Sequence, residues 1–597
     1  MIKSMRILAF LIALWALTAS WAFADKPPKI KVVGVTIEGN HVYSEDRLMH
    51  LMVLRPSSFF HKSNYNQRLF DDDKSSIVQF YQQNGYLDAK IAESEVKVDT
   101  LKHTARLSIT IDEGPLTKVE GLAVFGNTVL SDSALLAQIK LKPGDAYKKT
   151  RVQDGLVGII SLYADRGFLD AALKPDIKIN DKSHLALIDI TVTEGRKYYI
   201  DNILIKGLDK TRKYVVTREL TFARGQLVSY SKLLDSQKKL YLTGLFESVF
   251  INPQPAADSI ANQKDILIEI KERLTSEFNV SVGYGSVERA RGRITLEIDN
   301  LAGTARQIRT NLIGSFIQRR AEIIFSEPWT LGLRLKTDYD MFYEYLVQPG
   351  FTIRHYVASL SETKSFGEQT TLTTALNFEN AHLIHVEVVD SLKDFTPKTR
   401  SLTLSFINDT RDDIFNSSRG RYVQLDNEFA SSLLRGSNSY IKPILTVKKF
   451  WPVTRNTVFC TALNLGWIGQ LGKNREVPLN QRFYAGGPNS IRGFGYQLVG
   501  PLDENQLPIG GNFKIVWNAL EIHQAIYKII GAEAFVDIGN VWLRMKNVHL
   551  KDLRVGTGPG LRANTPIGIV RVDLGINVFP RDNESRLRLA FNIGNAF

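Results

Sequence analysis

The sequence predicts α+β repeats followed by an all-β half that closes into a transmembrane barrel of about 16 antiparallel strands. Three observations carry that expectation. The chain opens with an export leader, an α+β motif recurs three times before residue 273, and hydrophobicity switches to period two from Thr275 onward.

The leader sets the compartment. Lys3 and Arg6 precede the apolar run "ILAFLIALWALTA", and Ala22–Ala24 ("AFA") offers small side chains to a leader peptidase. The run is too short to span a membrane as a helix and a polar "DKPPK" follows, so residues 1–24 are expected to be a signal peptide. Cys460 is the one cysteine in 597 residues, which leaves packing rather than a disulfide to supply stability. The net charge of +13 is spread along the chain, and an exported protein rarely meets nucleic acid. Acidic lipid head groups suit that charge better.

Residues 28–273 repeat. Each copy opens with a short β-like run closed by glycine: "VVGVTIEGN" to Gly39, "VEGLAVFGN" to Gly126 and "IDNILIKG" to Gly207. A helical stretch then ends at an aromatic–glycine corner, "YQQNGYLDAKI", "YADRGFLDAAL" and "YLTGLFESVFI". An alternating strand closes each copy, "ARLSITIDEG", "ALIDITVTEG" and "DILIEIKER". Gly85, Gly167 and Gly244 lie 82 and 77 positions apart. One strand, two helices and two strands fit that period, with boundaries at 28–114, 115–195 and 196–273. Small domains in series make an arm for extended partners, because exposed sheet edges can accept an added strand.

From 275 to 597 the pattern is that of strands. "EFNVSVGY" puts Phe278, Val280, Val282 and Tyr284 on one face, and "SLTLSF" does the same with Leu402, Leu404 and Phe406. "SRLRLAFNI" alternates Leu587, Leu589, Phe591 and Ile593 with Arg588, Ala590 and Asn592. A soluble sandwich also alternates. The export leader, the unbroken length and the Arg or Lys residues opposite the apolar face favour a barrel with lipid outside and water inside. An unclosed sheet would leave its edge groups unpaired in hydrocarbon.

Barrel parity then explains an isolated arginine. "QRFYAGGPNSIRGFGYQ", residues 481–497, places Arg492 among glycines and aromatics. In "VWNALEIHQ" Leu520 and Ile522 face lipid, so Glu521 faces the lumen; in "AEAFVDIGNVW" Val536 and Ile538 face lipid, so Asp537 does too. If the loop folds inward, Arg492 meets both carboxylates with its planar fork. Gly486, Gly487 and Gly493 would permit the tight backbone that this requires.

Other motifs reduce to structure. "GTGPGL" at 556–561 mimics a dinucleotide fingerprint but has no following helix, and reads as a small-residue path on a wall. Asp412–Asp413 reads as a solvated turn. The ten histidines lack metal-ligand spacing, and Cys460 in "NTVFCTALNLGW" reads as a strand residue with no histidine that the sequence can assign to it. Neither catalysis, cofactor nor metal is expected.

"FYAGGPNSIRGF", containing Gly486, Gly487, Ile491, Arg492, Gly493 and Phe494, resembles the signature loop of the outer-membrane protein assembly family that includes BamA and TamA. "EPW" at 327–329, "DTRDDIFNSSRG" with Asp409, Arg411, Asp412 and Gly420, "GGN" at 510–512, "FVDIGNVW" and "GTGPGLRANTPIG" are similar to family elements in the same order. Ile414 and Ser417 stand where the family's Arg-Asp turn carries prolines. The repeats resemble POTRA domains. Their number looks like the TamA branch, while "GGN" looks like BamA. The resemblance implies that Arg492 is held by Glu521 and Asp537.

It also implies an outer-membrane insertase with periplasmic repeats. Its partners would be unfolded outer-membrane proteins, periplasmic chaperones or accessory assembly subunits, and outer-membrane lipid, with no nucleic acid. The first strand (Phe278, Val280, Val282, Tyr284) and the last (Leu589, Phe591, Ile593, Gly594, Phe597) would form a weakly paired seam; a glycine such as Gly594 weakens pairing. A two-partner secretion type pore is the alternative, and a passive porin the third reading.

Overall fold

The computed structural model describes residues 30–597 except 58–62, 257–261, 389–395, 415, 455, 473–476, 528, 566–567 and 594–597. The expected signal peptide and the seam residues Gly594 and Phe597 lie outside the described residues. The chain forms two compact units, and the barrel unit also contains residues 205–219 and 238–250 of the third repeat.

The first repeat runs β1 (Lys31–Glu38), α1 (Glu45–Met49), α2 (Gln67–Gln83), β2 (Lys90–Asp99) and β3 (Thr104–Asp112). The second runs β4 (Lys118–Phe125), α3 (Asp132–Ile139), α4 (Lys149–Ala164), β5 (Ala172–Asn180) and β6 (Leu185–Thr193). The third runs β7 (Tyr199–Lys206), α5 (Lys213–Thr217), α6 (Tyr230–Tyr241), β8 (Phe246–Pro255) and β9 (Gln263–Glu272). The expected order of strand, two helices and two strands is therefore present three times. In every sheet the last strand lies in the middle, as β1-β3-β2, β4-β6-β5 and β7-β9-β8.

The sequence explains this order. The closing strand carries the most buried residues of its sheet, and in β6 the buried residues Ala186, Ile188, Ile190 and Val192 alternate along one face. They pack with Leu135, Ile139, Val152 and Ile159 of α3 and α4. The outer strand β2 is largely exposed and stands at a sheet edge. Gly39, Gly126 and Gly207 end the opening strands at φ of +78°, +82° and +88°. A Cβ there would lie 2.1, 2.4 and 1.9 Å from a carbonyl oxygen of the central strand, which only glycine avoids.

A glutamate bolts each repeat together. Glu113 accepts the Val42 N–H at 3.0 Å and the Tyr81 hydroxyl at 2.8 Å. Glu194 accepts the Thr128 and Val129 N–H groups at 2.7 and 2.9 Å and the Tyr163 hydroxyl at 2.9 Å. Glu272 accepts the N–H groups of Asp209, Lys210 and Thr211. Burial opposes ionisation of Glu194, but the donors on Thr128, Val129 and Tyr163 outweigh it and hold the carboxyl at about 2.

The second half is a closed antiparallel barrel. Its strands are β10 (Ser276–Gly285), β11 (Arg289–Leu301), β12 (Arg306–Ser315), β13 (Gln318–Glu327), β14 (Lys336–Gln348), β15 (Phe351–Phe366), β16 (Thr370–Ile384) and β17 (Lys398–Asp409). They continue as β18 (Gly420–Ala430), β19 (Tyr440–Pro452), β20 (Thr457–Trp467) and β21 (Gly469–Gln470). The last five are β22 (Phe513–Tyr527), β23 (Ile530–Trp542), β24 (Arg554–Thr565), β25 (Gly568–Asn577) and β26 (Leu587–Ile593). Because β21 is a two-residue continuation of β20, the barrel has sixteen strands, as the length predicted.

Parity holds where it was read. Phe278, Val280 and Val282 are 66, 61 and 75 % exposed on the outer face, and Tyr284 follows them. Among the described residues the closure is uneven. β10 and β11 stay in register from Ser276–Ile298 through Gly285–Arg289. Between β10 and β26, the described residues pair only as Tyr284 with Ile593 and Gly285 with Asn592. Leu589 and Phe591 are paired on their other side, with Leu574 and Val572 of β25.

Candidate functional site

The segment between β21 and β22 does not project outward. It folds into the barrel, where Ile491 and Phe494 are buried with Val516 and Val541 of the wall. Gly486, Gly487 and Gly493 all adopt positive φ, as the expected tight backbone requires. The wall is cut away to receive them. A Cβ on Gly556 would lie 1.8 Å from the Arg492 carbonyl oxygen. "GTGPGL" is thus a small-residue track on β24 against which the loop lies, and the nucleotide-like spacing has a packing cause.

Arg492 is 3 % exposed and fully engaged. Its Nε and Nη2 donate to Asp537 Oδ2 and Oδ1 at 2.7 and 2.9 Å, and its backbone N–H donates to Oδ2 at 3.0 Å. Nη2 also donates to Glu521 Oε2 at 2.7 Å, and Nη1 to Glu533 Oε1 at 3.3 Å. The guanidinium stacks on Phe535, 3.5 Å from the ring centroid. Asn518 completes the cradle, donating to Asp537 Oδ1 at 2.8 Å and to the Ser490 carbonyl at 3.1 Å. The expected partners Glu521 and Asp537 are both in place.

Glu533 is a third partner that the parity argument passed over. It lies four positions before Asp537 on β23, so the same alternation turns it inward. The network also reaches Cys460, which lies on strand β20. Its Sγ lies 3.9 Å from His523 Nε2, and both belong with Glu521 to a cluster whose donor atoms lie within 4.8 Å of one another. His523 is already committed: Nε2 faces Glu521 Oε1 at 2.5 Å and Nδ1 faces Arg562 at 2.7 Å. With Arg492 and Arg562 beside it, the cluster is an extension of the arginine network and not a cation site.

The loop has a second mooring on the opposite side of the lumen. Gln481 Nε2 and Asn480 Nδ2 donate to Glu379 Oε2 and Oε1 of β16 at 2.8 and 3.0 Å. His355 of β15 lies between Glu379 and Glu344, with Nδ1 3.0 Å from Glu379 Oε1 and Nε2 2.7 Å from Glu344 Oε2. Leu479 is fully buried against Phe351 and Ile353. No sequence motif marks this mooring.

The Arg-Asp turn between β17 and β18 braces itself, and its Asn416 Oδ1 also accepts from Arg562 Nη2 of β24 at 3.2 Å. Arg411 grips Asp409 at 2.7 and 2.9 Å, and Asp412 accepts the Ser418 and Arg419 N–H groups at 2.9 and 3.2 Å. The Asp412 carboxylate therefore shapes a turn, as read.

A glycine-guided loop moored by arginine inside a barrel, behind three repeats, is matched by known families. Residues 300–597 match the Omp85 superfamily domain, and residues 30–114, 117–195 and 198–273 each match the surface antigen variable number repeat, POTRA. The chain belongs to the Omp85 superfamily.

Membership places it in the outer membrane with its POTRA repeats in the periplasm. Among relatives, the outer membrane protein assembly factor BamA of Neisseria meningitidis is 22 % identical, over 96 % of this chain and 79 % of its own. BamA of Nitratidesulfovibrio vulgaris is 24 % identical, over 95 % of this chain and 74 % of its own. The crystal structure of BamA from Haemophilus ducreyi lacking POTRA domains 1–3 has the same fold, with a TM-score of 0.68 at 21 % identity. It covers 80 % of this chain and 99 % of that one.

Proposed function

We propose that this Omp85 protein is an outer-membrane insertase that assembles other β-barrel or autotransporter-type proteins. The similarity to BamA along nearly the whole chain supports this reading. The observation that carries it is the uneven strand pairing, with β10 ladder-paired to β11 along its length but to β26 only at Tyr284–Ile593 and Gly285–Asn592 among the described residues.

The working cycle has three steps. The repeats collect unfolded chains by strand addition at sheet edges such as β2. β10 and β26 then part at the weak seam. An incoming strand pairs with the freed edge and keeps its backbone groups satisfied as it enters lipid. Arg291 of β11 regulates that parting, because its Nη2 reaches past β10 to Asn592 Oδ1 of β26 at 3.0 Å. The moored loop keeps the remaining wall in shape while the seam opens. Unfolded outer-membrane proteins, periplasmic chaperones or accessory subunits, and outer-membrane lipid are the partners, and no chemical catalysis is involved. A lumen crossed by a loop bound at both sides argues against the passive porin.

Depletion of the protein followed by an inventory of outer-membrane barrels tests this. Loss of many barrels is expected of a general factor, and loss of a few of a specialised one. Unchanged barrels with one missing secreted protein would replace this reading with the exporter.

A further inference from the structure

We infer that the outer wall from β13 to β17 carries a binding site for the phosphate groups of an outer-leaflet lipid. The cross-strand register places Arg319 opposite Tyr345, Tyr345 opposite Arg354, and Arg354 opposite His382, an unbroken row across four strands. Lys398 and Arg400 of β17, opposite Asn380 and Phe378, continue the cluster one and two positions along.

The row faces outward. The alternate residues Leu346, Ile353 and Leu383 point into the lumen, where they pack with Leu479, so their neighbours Tyr345, Arg354 and His382 point away from it. Arg319, Arg354, His382 and Lys398 are exposed. The row also lies at one end of the barrel. β10 begins just after the periplasmic repeats, so the β12–β13, β14–β15 and β16–β17 connections are at the far end. Arg319, Arg354 and Lys398 lie at or near the starts of their strands, and His382 near the end of its own. That height is the outer-leaflet head-group region.

The chemistry selects a phosphate. Arg319, Arg354, His382 and Lys398 form no ion pair with a carboxylate among the described residues, which leaves their charge available to a phosphate. Arg319 and Arg354 are two strands apart, about 10 Å, which allows one head group to be held from both sides. Guanidinium forks suit phosphate oxygens. Arg319 and Arg400 each lie 5.7 Å from a ring centroid, of Tyr345 and Phe378, so aromatic faces hold the guanidinium groups where head groups give way to acyl chains. Elsewhere on the same rim the outward residues are apolar, as at Phe429, Ile441 and Trp467.

Native mass spectrometry of the full-length protein in detergent tests this. Diphosphoryl lipid A should remain bound and resist displacement by excess inorganic phosphate, while its dephosphorylated form should dissociate. Arg319→Gln with Arg354→Gln should weaken retention at least tenfold, and Lys449→Gln, on the outer face at the opposite end, should leave it unchanged. Equal retention of the dephosphorylated lipid by the wild type overturns the site without recourse to any variant. Full retention by the double variant, or an equal loss in Lys449→Gln, overturns it too.

Discussion

Arg492 and Asp537 are joined three times, through the arginine's backbone N–H, Nε and Nη2, so one carboxylate fixes both the path of the loop and the plane of the guanidinium. The backbone bond would survive loss of the side chain; the charge balance would not.

Arg492→Ala removes the guanidinium that joins Glu521, Glu533 and Asp537, leaving His523 as the remaining basic partner of Glu521. Breaking a buried charge pair costs about 3–5 kcal/mol. The folded barrel should lose its heat-resistant gel mobility at a lower temperature than the wild type, with Arg492→Lys in between, since an ammonium keeps the charge but not the fork. Exchanging the charges of Arg492 and Asp537 should restore little, because an aspartate at 492 would face Glu521 and Glu533. Wild-type mobility in Arg492→Ala would remove the arginine from barrel stability.

The second mooring should respond separately. Glu379→Ala removes the acceptor for Asn480 and Gln481 and one partner of His355, each unsatisfied group costing about 1–3 kcal/mol. Hydrogen exchange at residues 479–481 should quicken while Arg492 stays protected. The two moorings share no side chain, so the stability losses of Glu379→Ala and Arg492→Ala should add. Strong non-additivity would mean that the loop moves as one rigid piece.

Gly556→Ala tests why the wall is bare. Its methyl would meet the Arg492 carbonyl oxygen at 1.8 Å, so the loop must shift. Overpacking of this kind costs about 1–3 kcal/mol. Thermal melting of the folded barrel should fall, with no comparable effect at exposed Gly314, where the backbone is extended and a Cβ meets nothing within 4 Å.

Acid should loosen the second repeat through Glu194. Its carboxyl is held at about 2, below the ordinary 4.5, so the folded state favours the ionised form. That contribution is complete above pH 4.5 and disappears as the pH falls through about 2. Protection of the Thr128 and Val129 N–H groups, corrected for intrinsic exchange, should drop across that window and stay flat in Glu194→Gln. A drop of equal size in the variant would assign the effect elsewhere.

Much of this was legible because strands carry a simple rule. Alternation alone turns Glu521 and Asp537 into the lumen, and Glu533 obeys the same rule in "AEAFVD". The rule fails at a bulge. Counting back by twos from outward Ile522 and Leu520 would put Asn518 in lipid, yet the register shift between Asn518 and Leu520 turns it inward to Asp537. Glu379 was invisible for a different reason. Its partners Asn480 and Gln481 lie about a hundred positions away, and periodicity gives a side chain's face without its distance across a barrel. Cys460 and His523 met for the same reason, through the pairing of β20 with β22.

The seam remains the centre of the account, and locking it is the most direct measurement. Tyr284 and Ile593 are cross-strand partners, close enough for a disulfide. In a Cys460→Ala background, Tyr284→Cys with Ile593→Cys should form that bond, and the oxidised protein in vesicles should stop inserting unfolded barrel proteins until reductant restores it. Insertion at the wild-type rate with the bond intact would contradict the account.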